Sequence, residues 1–447
     1  MNPEAERLRD AVARAPWFSR ATLDPDSLRP LDELRAGHAT VTWAAVDGTG
    51  GGHTTVLVLA EDDPALLSAV LVLAARPAWA TARGGTVRWH GPPLTAARLG
   101  AQLTATATNA VARVTAGRPP RDLVLKVYRA LGDGGGEIAL LSRLAGHRAP
   151  LPEAVGHLDY LTPDGRPAGC LALVTEVAPG VPLDVPLRAA LHAHWAGAAP
   201  QAVPQAPLDP PLDPLLDRVR AALADLHHAL AELRPPRLTP LADRLPRLAT
   251  AVADVRRTLP ESTGPRHRLL DRCAALAGRW AAGAAHPAGP VHGDLHLGHV
   301  LVDAGDRVRF VDPAGAPPPD AGPLDDLAAL VRAVECFAAD EQVARTAQQR
   351  AYHKHRYATA LRRAALAPAT AARPLPPPAA DWAARAVAPL TAGTAPGALC
   401  VPYLLRALHE LRHHGERAGD PDADYYADLT WISLRAFVTA KEGSPRA

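Results

Sequence analysis

The sequence predicts an α+β protein whose strands come first and whose helices follow. Short β-branched runs broken by Gly, Asp and Pro fill the chain up to about residue 180. Apolar residues at helical spacing dominate after about residue 215. The chain also has 447 residues, more than one compact core usually accommodates. We therefore predict two or three packed units.

The composition is that expected of a soluble globular protein. Hydrophobic residues make up 48%, charged residues 21%, and the formal net charge is only +2. These values favour neither nucleic acid nor a membrane surface as a partner. The four Cys are far apart without a CxxC pair, which argues against a zinc site and indicates a reduced cytosolic chain. The N-terminus lacks a signal-peptide core, so we expect a cytoplasmic protein that is a monomer or a weak homodimer.

The first 93 residues predict an N-terminal cap subdomain. Residues 1–20 resemble a short amphipathic helix, and strands begin at about Ala39. The predicted strands are ATVTWAAVDG, HTTVLVLA and GTVRWHG. The segment PALLSAVLVLAARPAW between them fits either a helix or a buried strand.

Residues 94–180 predict a sheet of the five-strand type with one helix. Two β-rich runs flank a Gly-Arg-Pro-Pro turn, and the second, DLVLKVYR, holds Lys126 at its centre. A Gly-rich connector then leads into a helix with Glu137 in its first turn, and two further strands follow. Only three of the 48 basic residues are Lys. A Lys inside a strand of this chain therefore suggests a site that needs a compact ammonium group.

Residues 181–447 predict a mainly helical unit. A Pro-rich loop is expected at 197–215, and another Pro-rich patch at 373–381. The predicted helices cover approximately 215–233, 267–283, 322–338, 348–366, 401–414 and 424–438. Adjacent His pairs, such as His227 with His228, are interpreted as solvated helix positions.

One segment, VHGDLHLGHVLVDAGDRVRFVDPAG, interrupts these helices with a predicted hairpin. The hairpin brings Asp294, ahead of its first strand, near Asp312, after its second. Two carboxylates so close are unfavourable unless a cation lies between them, and Mg²⁺ is the obvious hard ion. An Asp for the acceptor hydroxyl, an Asp for the metal and a Lys for the phosphates are sufficient for phosphoryl transfer.

The ordered motifs HGDLHLGHVL, VDPAG and LDDLA, with the strand VLKVYR before them, resemble the maltokinase-like branch of the aminoglycoside phosphotransferase and kinase-like superfamily. The resemblance covers roughly residues 94–337. It implies a bilobal protein-kinase-like fold with a cap at 1–93, an N-lobe at 94–180 and a helical C-lobe at 181–447 that carries the catalytic hairpin. It also implies ATP and Mg²⁺ as cofactors, with Mn²⁺ as an alternative ion.

The resemblance assigns roles in the C-lobe residue by residue. Asp294 corresponds to the catalytic base, and His292 shapes its loop. Asp312 corresponds to the metal ligand, and Asp326 braces the catalytic loop. Glu410 falls loosely where related chains face the acceptor.

In the N-lobe, the resemblance assigns nucleotide contacts. Lys126 would contact the α- and β-phosphates and pair with Glu137. Asn109 falls where the family has a polar loop over the phosphates, although a simple turn fits equally well. The hinge that contacts adenine would include three residues, Thr175, Glu176 and Ala178.

Two positions depart from the family pattern. His299 stands where the family has Asn or Gln as a second metal contact, and imidazole suits Zn or Mn better than Mg. A loop-packing role for His299 remains equally open. The loop Asp312-Pro313-Ala314-Gly315 also lacks the acidic residue of the maltokinase pattern.

Three functions remain open from the sequence. The first is an ATP-dependent phosphotransferase acting on a hydroxyl of a sugar or amino sugar, like maltokinase or glucosamine kinase. The second is an aminoglycoside-type antibiotic phosphotransferase. The third is a kinase-like binding protein with impaired catalysis.

Overall fold

The computed structural model describes most of the chain and divides it into two compact units. The described residues are 23–48, 54–60, 62–105, 109–131, 135–196, 212–259, 264–305, 307–314, 317–346, 377–395, 397–417 and 421–443, with single positions 6, 9 and 12. Unit 1 comprises residues 1–147 and 151–178, and unit 2 comprises 148–150 and 179–447. Most of the predicted helix at 1–20, all of that at 348–366 and most of the Pro-rich loop lie outside the described residues.

Unit 1 begins with an antiparallel sheet of strands β1 (Leu23–Ala36), β2 (Ala39–Gly48) and β3 (Thr54–Leu59), in that order. The sequence did not predict β1, which carries two Pro residues and several charges. The strand tolerates them because it lies at the edge of this sheet and has two register shifts against β2.

The segment whose pattern fitted both helix and strand forms helix α1 (Asp63–Leu73). Asp62 caps it, because its carboxylate accepts the amide hydrogen of Ala65 at 2.7 Å. Pro64 in the first turn loses no helical hydrogen bond there. Apolar side chains around most of the helix are buried, which explains why the sequence showed no clear helical period.

A larger antiparallel sheet follows in unit 1. Its strands are β4 (Ala78–Ala80), β5 (Thr86–His90), β6 (Arg98–Ala105), β7 (Asn109–Ala116), β8 (Arg121–Tyr128), β9 (Ala154–Leu161) and β10 (Pro167–Glu176). In the described part of the chain their order is β4-β5-β9-β10-β8-β7-β6. Helix α2 (Gly135–Leu144) packs on β9 and β10.

The predicted cap and the predicted N-lobe share this sheet. Strand β5, from the cap segment, pairs with β9, from the N-lobe segment. Their cores are also continuous, since Trp43 and Val70 belong to one buried cluster with Leu125 and Leu158. Residues on both sides of position 93 therefore form a single unit, although the sequence suggested a separate cap.

Unit 2 is mainly helical. Its helices are α3 (Asp184–Ala196), α4 (Leu212–Leu233), α5 (Leu245–Thr258), α6 (Pro265–Ala281), α7 (Pro323–Thr346), α8 (Pro377–Thr391), α9 (Cys400–Gly415) and α10 (Pro421–Glu442). Buried side chains of α5, α6, α9 and α10 form one core. Among the described residues, no helix combines the length and apolar character needed to cross a membrane.

Short strands in unit 2 flank the predicted catalytic motif, His292–Gly293–Asp294. They are β11 (Val181–Pro182), β12 (Arg237–Pro240), β13 (Ala285–Ala288), β14 (Val300–Val302) and β15 (Val308–Phe310). Strands β14 and β15 pair antiparallel as the expected hairpin, and β11 pairs with β14. The motif therefore lies between β13 and the end of this small sheet.

Asp32 of β1 is a buried carboxylate that joins the two sheets of unit 1. It accepts hydrogen bonds from the Thr81 hydroxyl, the amide of Arg83 at 2.9 Å and the hydroxyl of Tyr160, on β9, at 3.0 Å. Burial alone would raise the pKa of Asp32, but these hydrogen bonds hold the pKa below its usual value. Tyr160 also stacks on Trp43 of β2, with ring centroids 4.5 Å apart.

We predict that Asp32→Ala lowers the free energy of unfolding by about 2–4 kcal/mol, because the hydroxyls of Thr81 and Tyr160 and the amide of Arg83 lose their acceptor. Because folding lowers the pKa of Asp32, its contribution is complete above the usual carboxyl pKa of 3.8 and disappears as the pH falls through the folded value. Urea unfolding of the native chain and the variant at neutral and acid pH measures both effects. The exposed Asp26→Ala is the control, and equal losses for the two variants would contradict the assignment.

Candidate active site

The sequence His292–Gly293–Asp294 forms the loop after β13. Gly293 has φ +83°, and a Cβ there would come within 2.9 Å of the Cβ of Ala314. Glycine is therefore required for both its conformation and its lack of a side chain. The ring Nε2 of buried His292 donates to the carbonyl of Val311 at 3.0 Å, and the carbonyl of His292 accepts the amide hydrogen of Ala314 at 2.7 Å. These bonds join the loop to the segment that follows β15.

Asp326, in the first turn of α7, holds the backbone of this loop. Its carboxylate accepts the amide hydrogens of His292 and Gly293, each at 2.8 Å, and contacts Nε2 of His227 at 2.9 Å. Burial would raise the pKa of Asp326, but the hydrogen bond and charge of His227 and the loop amides outweigh it and lower that pKa. Asp326 is therefore an ionised anchor at the base of the loop.

His227 differs from its sequence interpretation. It was expected to be solvated like its neighbour, yet its side chain is 14% exposed and contacts Asp326, whereas that of His228 is 81% exposed. Its spacing in the sequence does indicate burial, because His227 is four residues after Leu223 and three before Leu230, both buried on α4. His227 thus belongs to the apolar face of its helix.

The Asp294 side chain is 50% exposed. Its own carbonyl accepts a hydrogen bond from Nδ1 of His299 at 2.8 Å. Because a carbonyl only accepts, Nδ1 of His299 carries a proton, and in the neutral ring Nε2 is left with its lone pair. That Nε2 lies 3.5 Å from Oδ2 of Asp312.

Asp312 lies just after β15 with φ +61°, a conformation that is uncommon for any residue other than glycine. Such backbone strain often occurs where a side chain must be aimed at a functional position. Its side chain is 40% exposed. Gly315, the last residue of the predicted D-x-x-G loop, lies outside the described residues.

The ring of His296 contacts that of His299 at a tilt of 36°, with ring centroids 3.6 Å apart. Its Nδ1 accepts the amide hydrogen of Gly298 at 3.1 Å. Burial, with the nearby charge of His299, lowers the pKa of His296 to about 4. Ligand atoms of Asp294, His296 and His299 all lie within 4.8 Å of one another, a spacing that allows them to hold a metal ion.

Arg406 of α9 contacts the carboxylate of Asp294 at 3.5 Å. Glu410, one turn later, accepts from Arg406 at 3.0 Å and from the fully buried Arg332 at 2.7 Å. Burial would raise the pKa of Glu410, but the two guanidinium groups lower it to about 2. Glu410 was predicted to face the acceptor, and the structure shows that its charge is already shared by two Arg. The sequence missed Arg406, since nothing local connects it with Asp294.

A cavity of about 310 Å³ borders the loop. Gly293, Asp326 and Arg406 line it, and its other charged or titratable lining residues are Arg247, Asp254, Asp325, His409 and Arg412. Two of the lining carboxylates already have basic partners: Asp325 pairs with Arg244 at 2.6 Å and Asp254 with Arg412 at 3.7 Å. The cavity lining therefore combines apolar side chains, such as Val291 and Leu405, with charged ones, and Arg406 lies beside the candidate loop.

In unit 1 the structure brings Lys126 and Glu137 together. Nζ of Lys126 lies 2.7 Å from Oε2 of Glu137, and the Tyr128 hydroxyl donates to the same oxygen at 2.7 Å. The side chains of Lys126 and Glu137 are only 12% and 7% exposed. The pair thus holds an ammonium group in one orientation on β8.

The other predicted nucleotide contacts lie on, or just after, the strands that flank β8. Asn109 begins β7 opposite Tyr128, and Thr175 on β10 pairs with Val124. Glu176 ends β10 and forms an ion pair with Arg121. Ala178 is the last residue of unit 1.

Comparison with known proteins places the chain in a family. Residues 100–366 match the model of APH, the phosphotransferase enzyme family. A search of curated proteins found no match. A solved glucosamine kinase in complex with glucosamine, ADP and inorganic phosphate is 18% identical, with a TM-score of 0.58 over 94% of this chain and 97% of that one.

Two further solved structures are similar. A second crystal form of glucosamine kinase, form B, is 20% identical with a TM-score of 0.50, over 96% of this chain and 98% of that chain. A thermostable mutant of an aminoglycoside phosphotransferase is 15% identical with a TM-score of 0.44, over 79% and 97%. The two glucosamine kinase structures confirm the predicted kinase-like α+β fold class. The family match covers more than half of the sequence, and this chain therefore belongs to the phosphotransferase enzyme family.

Proposed function

We propose that the chain transfers the γ-phosphoryl group of ATP to a hydroxyl of a sugar or amino sugar. The observation that carries the proposal is the half-exposed Asp294 on a loop whose backbone is anchored by Asp326. The acceptor oxygen forms a bond to the γ-phosphorus, the bond to the β–γ bridging oxygen breaks, and ADP leaves with that electron pair. The Asp294 carboxylate orients the hydroxyl and accepts its proton.

Residues of unit 1 supply the proposed nucleotide contacts. The Lys126 ammonium, fixed by Glu137 at 2.7 Å, binds the α- and β-phosphates as a compact positive charge. Asn109 contributes at the phosphate loop, and the backbone from Thr175 to Ala178 binds adenine. A preorganised ammonium stabilises charge on the phosphates without reorganising during the reaction.

The residues around Asp312 fit a divalent ion. The lone pair on Nε2 of His299 and the Asp312 carboxylate oxygen, 3.5 Å apart, favour a proton or cation between them. Mg²⁺ would be held by Asp312 together with phosphate oxygens. An imidazole ligand such as His299 suits Mn²⁺ better than Mg²⁺. When bound, such an ion would neutralise charge on the phosphates.

Charge at the cavity favours a neutral or singly charged acceptor. Arg406 lies beside Asp294, and a cation with several ammonium groups would meet its guanidinium. Glu410 acts through Arg406, as a positioning residue. Glucosamine, the molecule bound in the similar glucosamine kinase, carries a single amino group. Aminoglycosides are therefore the second candidate, and the maltokinase-like loop pattern leaves neutral sugars open.

We predict that Asp294→Asn lowers kcat roughly 10²–10⁴-fold while ATP affinity is kept, because the amide cannot accept the acceptor proton. The assay measures ADP release with glucose, glucosamine, maltose and streptomycin, and ATP binding by calorimetry. Asp271→Asn, on an exposed part of α6, is the control. ATP binding without phosphorylation of any acceptor, unchanged by Asp294→Asn, would support the impaired binding protein instead.

We predict that His299→Asn shifts metal preference toward Mg²⁺, because an amide oxygen replaces the imidazole nitrogen. The ratio of the rate with Mn²⁺ to the rate with Mg²⁺ should fall roughly tenfold. Mn²⁺ binding followed by electron paramagnetic resonance gives a readout independent of turnover. His228→Asn, at an exposed position, is the control. An unchanged ratio with unchanged Mn²⁺ affinity would assign His299 to packing.

We predict that Arg406→Gln favours positively charged acceptors. Removing the guanidinium 3.5 Å from Asp294 should raise kcat/KM for glucosamine relative to glucose by roughly tenfold, or about 1.4 kcal/mol. Competition assays with both sugars measure the ratio directly. The control Arg220→Gln, at an exposed position on α4, should leave the ratio unchanged. A ratio that is also unchanged in Arg406→Gln would exclude this role for Arg406.

A further inference from the structure

We propose that His90, His157 and Asp159 bind a transition-metal ion of the Zn²⁺ class on the sheet of unit 1. The site is separate from the catalytic loop and does not depend on the proposed reaction. All three residues lie on the neighbouring strands β5 and β9.

The sheet register brings the three side chains to one face. His90 is directly opposite His157, and the partner of Asp159 is Arg88, two residues before His90. On both strands the alternate residues are buried, including Trp89 and Leu158. Because side chains alternate across a strand, the two His and the Asp share the opposite face.

The ligand atoms already converge. Oδ2 of Asp159 lies 3.1 Å from Nε2 of His90 and 3.5 Å from Nε2 of His157. Two ligands of a tetrahedral ion, at bond lengths of about 2.0–2.2 Å, are about 3.3–3.6 Å apart. The 3.5 Å separation falls within this range and the 3.1 Å separation is slightly shorter, and all three ligand atoms lie within 4.8 Å of one another. The imidazole rings are stacked nearly parallel, with centroids 4.5 Å apart, so binding requires a rotation of the side chains that turns both Nε2 lone pairs toward one ion.

The donor set selects the ion. Two imidazoles and one carboxylate are preferred by Zn²⁺ and similar ions, whereas Mg²⁺ and Ca²⁺ prefer oxygen ligands. The side chains are 39%, 23% and 34% exposed for His90, His157 and Asp159, so an ion and one water molecule can reach them. Three protein ligands with one water complete four-coordination.

Binding would strengthen a particular junction of unit 1. Strand β5 comes from the predicted cap, and β9 from the predicted N-lobe. An ion that binds both strands only when they are paired stabilises the folded unit by mass action. The inferred role is therefore a metal cross-link between two segments that are distant in sequence.

The test uses the full chain, stripped of metal with a chelator, and titrates Zn²⁺ alone by calorimetry. The native chain should bind one equivalent of Zn²⁺ at this site. In His157→Ala the affinity for that equivalent should fall roughly 100-fold or more. Asp159→Asn, which keeps the side-chain shape, should weaken it as well. The exposed His228→Ala should not. Because Asp294, His296 and His299 can also hold an ion, His296→Ala is titrated in parallel and should retain the β5–β9 equivalent.

A second readout separates metal binding from a purely structural role of these side chains. Zn²⁺ should raise the unfolding midpoint of the native chain and of His228→Ala, but not of His157→Ala, while all three share one midpoint in chelator. Co²⁺ substituted for Zn²⁺ should give the visible absorption of a four-coordinate ion, lost in Asp159→Asn. Equal Zn²⁺ affinity in native chain and His157→Ala, or an equal rise in both midpoints, would overturn the proposal.

Discussion

The shape of the candidate catalytic loop depends on one buried carboxylate. Asp326 is 1% exposed, and a charge at that depth loses several kcal/mol of hydration unless its oxygens have partners. Two consecutive loop amides, from His292 and Gly293, and the imidazole of His227 are those partners. Because both amides point to the same carboxylate, the backbone must turn at Gly293, and Asp294 then lies at the surface of the loop with half its side chain exposed.

Buried charges elsewhere in the chain follow the same requirement for partners. Lys126 pairs with Glu137, and the fully buried Arg332 bonds Glu410 and the hydroxyl of Ser433. A carboxylate held in this way contributes to architecture and cannot also neutralise a ligand. Glu410, whose charge is shared by two Arg, differs in this respect from the more exposed Asp294. We therefore propose that Glu410 positions Arg406 and does not contact the acceptor.

Unit 1 shows how distant segments become one body. Strand β5 adds the predicted cap to the main sheet through β9, and Asp32 joins the smaller sheet to the same strand through Tyr160. The cluster of His90, His157 and Asp159 lies on this β5–β9 junction. Strand pairing, a buried hydrogen-bond network and the inferred metal site therefore all stabilise the junction between β5 and β9. The order of the segments along the chain had suggested a domain boundary between these two strands.

The sequence by itself determined the order of the motifs, the β14–β15 hairpin, the helical second half and the pairing of Lys126 with Glu137, because each depends on spacing within a few turns or strands or on a family pattern. It did not reveal edge strand β1, whose Pro residues and charges conceal its alternation. Only the tertiary structure decided the contacts of His227 with Asp326 and of Arg406 with Asp294, which join residues 99 and 112 positions apart. Such contacts are set by how helices pack around a shared core, and no local periodicity records which distant side chain a helix face will meet.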